Sequence, residues 1–223
     1  YLLGTLSIVI VGLAGWRSLD HRADRAAWKR LTTEPPDETT IFHASMTAGL
    51  PEPARRYFNF TIAQGTPLYT AVEIDMAGEI GLGSKQAPGY RDMAARQILA
   101  PPYGFVWRVK TGLISGSDGA LPDKSWTRFW LFGLIPVVRV RGLDHHRAAF
   151  GRVVAEGAFW LPASLLPGEF VRWGPLDENS ARAVVTFGNF EQAVDVTVDE
   201  AGAPTKVVIQ RWSNANADQV YRQ

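Results

Sequence analysis

From residue 69 onward the chain repeats short runs in which apolar and polar residues alternate, and turn-forming residues separate the runs. In the run at 69–80, Thr70, Val72, Ile74, Met76 and Ile80 share one face, while Tyr69, Glu73, Asp75 and Glu79 share the other. Further strands read at about 92–100, 104–111 and 113–121, the last with a turn signal at Ser117-Asp118-Gly119. Residues 126–141 form a dense apolar run broken by Gly133 and Pro136, read as a strand or as strand–turn–strand. Four more strands fall at about 169–174, 181–188, 192–199 and 204–213, with turns at Asp177-Glu178-Asn179 and at 200–203. Strands this close in sequence pair antiparallel, because a parallel crossover needs a long connection.

One strong helical stripe interrupts the series. Over 144–161, Phe150, Val153, Val154, Gly157 and Leu161 recur at helical spacing, with Asp144 as the expected N-cap and Pro162 as the stop. A shorter helix opens at Leu50-Pro51-Glu52-Pro53 and runs to about Phe60. The pattern predicts a strand-majority α+β protein. Its expected form is an antiparallel curved sheet or open half-barrel with one packed helix, preceded by an N-terminal membrane helix.

Residues 1–15 carry no charge, and Trp16 stands at their border. Fifteen helical residues rise about 22 Å, short of the ~30 Å hydrocarbon core. The chain does not open on Met, so the apolar run is expected to continue upstream. A single-pass anchor is the preferred reading, with a signal segment or a buried core helix as alternatives; no small-residue cleavage pattern stands near Gly15. Trp16, Leu19, Ala23, Ala27 and Leu31 continue at helical spacing, along an anionic surface or as a solvated stalk. The expected organisation is an anchor and juxtamembrane helix at 1–31, a linker at 32–40 and a single β-rich domain at 41–223 that continues beyond the chain. Removing 1–31 is then expected to leave a folded, soluble domain.

Of the chain's 23 Lys and Arg and 22 Asp and Glu, residues 1–30 hold five bases and two acids, leaving 18 bases and 20 acids in the remainder. The basic excess lies beside the apolar run and not on the folded part, which argues against nucleic-acid binding. Those five bases favour a cytoplasmic domain, but the positive-inside rule needs both flanks and the sequence holds one, so the side is left open.

Cysteine is absent, which removes thiol nucleophiles, Cys-ligated zinc and disulfides. The segment from Gly78 to Lys85 has Ser before Lys where a phosphate loop needs the reverse order, and a hairpin turn fits it better. His145 and His146 are neighbours about 100° apart on a helix and read as surface or capping residues rather than metal ligands. Glu73, Asp75 and Glu79 read as the solvent side of a strand, and Arg152 with Glu156 as a surface ion pair. No catalytic residue, metal ligand or cofactor is assigned.

Aromatic density is the remaining signal. Phe105 and Trp107 leave one strand face together, Trp130 and Phe132 repeat that spacing, and Trp160 closes the long helix. These five are the candidate lining of an apolar cavity, with an ordinary packed core as the alternative.

The segments LPEPARRYF (50–58), MAARQILAPPYGFVWR (93–108), FGRVVAEGAFWLPASLLP (150–167) and VRWGPLDENSARAVV (171–185) resemble an uncharacterised bacterial family described only as a domain of unknown function. The resemblance covers about 50–213 and implies no activity or site residue. More remotely, the strands–helix–strands order is similar to lipoprotein-carrier half-barrels of the Lol type, which implies an open apolar cavity for acyl chains. The functional expectation is a membrane-tethered module that binds a lipid or other apolar ligand. An envelope structural or interaction domain is the alternative, and a hydrolase or transferase a third reading.

Overall fold

A computed structural model of the chain describes residues 2–32, 40–84 and 86–212, so most of the expected linker lies outside the described residues. A long helix α1 (Leu2–Leu31) precedes α2 (Glu52–Thr61), whose first turn holds Pro53. Six strands follow: β1 (Val72–Gly81), β2 (Tyr90–Ala100), β3 (Gly104–Thr111), β4 (Ile114–Leu121), β5 (Lys124–Leu131) and β6 (Ile135–Val140). After α3 (Leu143–Trp160) come β7 (Val171–Pro175), β8 (Ser180–Phe187), β9 (Phe190–Val198) and β10 (Pro204–Ile209). Strand outweighs helix, 41% against 32%.

Every neighbouring pair of strands is antiparallel, and the strands form two sheets, β1 to β6 and β7 to β10. This corrects the expectation of one curved sheet with a single packed helix, and the reason lies in α3. Its Ala149 and Val153 pack on Leu99, Phe105 and Ala120 of the six-stranded sheet. Its Phe150, Val154 and Ala158 pack with α2 on Ala183, Val185, Val194 and Val196 of the four-stranded sheet. A helix with two apolar faces keeps the sheets apart, whereas its sequence shows only one broad stripe. Buried Tyr57 of α2 donates its hydroxyl hydrogen to Ala158 O at 2.7 Å, and burial pushes its pKa up.

Two further readings change. Ser117, Asp118 and Gly119 are the middle of β4 and not a turn; the turns fall at Gly112 and at 122–123. Gly119 is required for packing, since a Cβ there would meet the Trp126 ring at 2.5 Å. The N-cap of α3 is Gly142, and Asp144 instead accepts from Trp212 Nε1 at 3.1 Å.

The second half of α1 packs on the outer face of the six-stranded sheet, where Ala27 and Leu31 join Ile98, Val106, Leu121 and Trp126. Asp20 and Asp24 are buried on the same helix face, while Leu19 and Ala23 face outward. The expected stripe therefore holds at Ala27 and Leu31 and shifts by one residue, from Leu19 and Ala23 to Asp20 and Asp24, nearer the N-terminus. Deleting 1–31 would uncover this packing. Among the described residues no helix is long and apolar enough to cross a membrane.

Candidate functional site

Register alignment puts Asp75, Arg96, Arg108, Ser117, Arg128 and Arg139 in one row across all six strands, on the face covered by α1. Like charges side by side on a sheet repel. Three of the four arginines are offset by carboxylates. Arg96 pairs with Asp75 at 2.7 Å and Glu73 at 3.0 Å. Arg139 forks onto Asp20 at 2.7 and 3.0 Å, and Arg128 lies 3.5 Å from both Asp20 and Asp24. Trp28 lies under Arg96 and Arg108, and Trp16 under Arg139. Arg108 has no carboxylate within 4 Å among the described residues, and its Nη2 is buried without a hydrogen-bond partner.

The two helix carboxylates titrate in opposite directions. Burial raises both, but for Asp20 the Arg139 fork, the Arg128 charge and the Trp130 indole outweigh it and hold the pKa below the ordinary value. For Asp24 burial prevails over Ser117, Arg128 and Arg108, and the Asp20 charge adds to the rise.

The opposite face of the sheet carries a second polar cluster, under α3. Arg152 donates to Glu156 Oε1 at 2.6 Å, Asp118 Oδ2 at 2.7 Å and Gln97 Oε1 at 2.9 Å, and Gln97 donates to Glu156 Oε2. Thr127 Oγ1 lies 2.7 Å from Asp118 Oδ1 and 2.8 Å from His145 Nε2, and His145 Nδ1 lies 2.7 Å from Ser125 Oγ. An ionised Asp118 only accepts, so the Thr127 hydroxyl donates to it and His145 donates from Nε2 to Thr127 Oγ1, while Nδ1 shares a hydrogen bond with Ser125 Oγ. Burial works to raise Asp118, but the His145 contact, the Arg152 charge and the Thr127 hydroxyl hold it low.

This overturns the reading of Arg152–Glu156 as a surface pair and of the histidines as surface residues. His146 is half-buried, donating to Leu121 O at 2.8 Å with its ring against Phe190; burial, ahead of the neighbouring His145 charge, lowers its pKa. Sequence reasoning missed the Arg152 cluster because polar side chains on the flank of a stripe look solvated. The members are polar atoms that satisfy one another, which is the arrangement of a docking lock.

The five aromatic candidates do not converge on one volume. Phe105 and Trp107 face α3, with the Arg152 guanidinium 4.3 and 5.4 Å from their ring centres. Trp130 is on the other face of the sheet, fully buried, bonded to Asp20 Oδ2 at 3.1 Å and edge-on to Trp16. Phe132 and Trp160 are exposed, by 64% and 51%. An apolar pocket of about 410 Å³ lies elsewhere, between α3 and the β2–β3, β4–β5 and β8–β9 turns, with Tyr103, Leu143, Phe150, Phe187 and Phe190 in its lining.

The molecule is thus an unclosed two-sheet α+β protein with a charged, helix-covered outer face. Residues 40–223 match a family of unknown function, DUF6544, and the chain belongs to that family. The resemblance read at 50–213 is therefore borne out over a wider span. No curated protein and no solved structure matches the chain.

Proposed function

We propose that the protein is a membrane-tethered module that binds a lipid or other apolar ligand, with the first half of α1 as its tether. The observation that carries this reading is a shared end. Where α1 leaves the sheet, Arg17 donates to Ser115 Oγ at 3.1 Å and Trp16 meets Trp130. Ser115 and Trp130 are register partners beside the β3–β4 and β5–β6 turns. Those turns expose Leu113 and Phe132, and the Phe132 N–H donates to Leu113 O at 2.8 Å. Phe132 sits at φ +53, a conformation that bulky side chains rarely adopt, and its ring points to solvent.

Beyond this end Leu6, Ile8, Val9, Ile10 and Val11 are all exposed on the helix. Residues 2–15 rise about 21 Å, so they reach well into a bilayer without crossing its ~30 Å core. Apolar turn tips beside the helix root add contact at the interface. The apolar volume available to a ligand is the Tyr103–Phe190 pocket, not the five aromatics read from the sequence.

Flotation of the full chain with phosphatidylcholine vesicles tests the tether. The wild type is expected to float, and Leu113→Asp with Phe132→Asp to float less. A wild-type chain that stays at the bottom without vesicles bound overturns the tether. A fluorescent fatty acid tests the ligand: binding should weaken in Leu143→Asp, at an exposed position on the pocket rim, and no binding by the wild type removes the apolar-ligand reading and leaves the interaction domain.

A further inference from the structure

Arg108 is the cation of the row whose charge nothing in the described fold answers at ion-pair distance. It lines an open pocket of about 470 Å³ between α1 and the sheet, with Arg17, His21, Arg96 and Lys110 also in the lining. Two carboxylates share that lining: Asp75 is held by Arg96 Nε at 2.7 Å, and Asp24 lies 3.5 Å from Arg128 and acts on Arg108 only from beyond ion-pair distance. Arg17 spends one N–H on Ser115 Oγ, and among the described residues neither Arg17 nor exposed Lys110 has a carboxylate within 4 Å. Three cations therefore border one hollow, and Arg108 also carries an Nη2 that is buried without a hydrogen-bond partner. A group with several anionic oxygens fits such a set, through the planar fork of arginine and the point charge of lysine.

We infer that this pocket binds a phosphate group, carried by a membrane lipid or by a free phosphorylated small molecule. Its position favours the lipid. Arg17 lies two residues past Gly15, about 3 Å along the helix, at the depth where headgroups meet a helix whose first half is in the bilayer. In its lipid form the inference rests on the tether proposed above; its phosphate chemistry does not.

The test titrates the full chain in neutral detergent micelles, by calorimetry, with inorganic phosphate, glycerol 3-phosphate, dihexanoyl phosphatidic acid and dihexanoylglycerol. The phosphate-bearing compounds should bind and dihexanoylglycerol should not. Arg108→Gln should weaken binding about tenfold or more, and Lys110→Gln, at an exposed position that leaves the fold intact, several-fold. Phosphatidic acid binding at least about tenfold tighter than glycerol 3-phosphate identifies a lipid as the source, and equal affinities identify a free phosphate. Absence of phosphate binding, or binding unchanged in both variants, overturns the site. Failure of the tether is read separately, since flotation of the wild type with phosphatidylcholine vesicles does not depend on Arg108.

Discussion

Asp20 and Arg139, 119 residues apart in sequence, form a two-point fork: Nη1 to Oδ2 at 2.7 Å and Nη2 to Oδ1 at 3.0 Å. Asp20 also accepts from Trp130, so one carboxylate joins α1 to β5 and β6. Asp24, one turn further, has an Oδ1 with no hydrogen-bond partner. Asp20→Asn should therefore destabilise by about 2–4 kcal/mol, because it leaves Arg139 and Arg128 against a neutral group. Asp24→Asn should change stability by less than about 1 kcal/mol, since it also relieves an underpaired buried charge. Denaturant midpoints of the two variants check the order, and equal losses would refute it.

Acid should loosen the same contacts. Asp20 and Asp118 titrate below the ordinary carboxylate value of 3.8 in the folded chain, so the unfolded chain binds more protons near that pH. Their contribution is present above about pH 4 and is lost as pH falls through the folded values. Asp24 acts with the opposite sign: its folded pKa is raised, so its contribution is full below 3.8 and is lost as pH rises. Stability measured from pH 7 down to pH 3 should fall, and Asp20→Asn should flatten that fall while Asp24→Asn steepens it.

Arg152→Ala should cost about 3–5 kcal/mol, because it strands Asp118, Glu156 and Gln97 in a part-buried cluster. The exposed fork of Arg182 on Asp195 is the contrast. Arg182→Ala should cost less than about 1 kcal/mol despite distances of 2.6 and 2.8 Å. Thermal melts of the two single variants compare them directly.

Gly119→Ala should destabilise by about 1–3 kcal/mol, since the added methyl pushes into the Trp126 ring beneath α1. A loss of near-ultraviolet circular dichroism with the far-ultraviolet spectrum kept would show that the ring has moved and the strands remain. A glycine in a solvent-facing turn, as the sequence suggested, would tolerate the change.

The strands were legible because alternation is a local signal. Glu73 and Asp75 point outward from β1 as their parity requires, and the expected β3 at 104–111 is the observed one. Asp118 and Gly119 were misread because Ser-Asp-Gly favours turns when nothing else acts on it. Here the Trp126 ring fills the space over Gly119, and Thr127 and Arg152 bind Asp118. Those partners come from other elements, and no local pattern announces them.

Residue order by itself determined the strand-majority class, the place of α2 and α3, and the apolar first half of α1, since period and polarity are carried by neighbours along the chain. The tertiary structure alone decided that the strands split into two sheets, because the second apolar face of α3 has meaning only once both sheets press on it. It alone aligned four arginines from β2, β3, β5 and β6 in one row and brought Asp20 to two of them, Arg128 and Arg139, and to Trp130. Such a row exists only through register, and a register is a relation between distant segments that no single segment encodes.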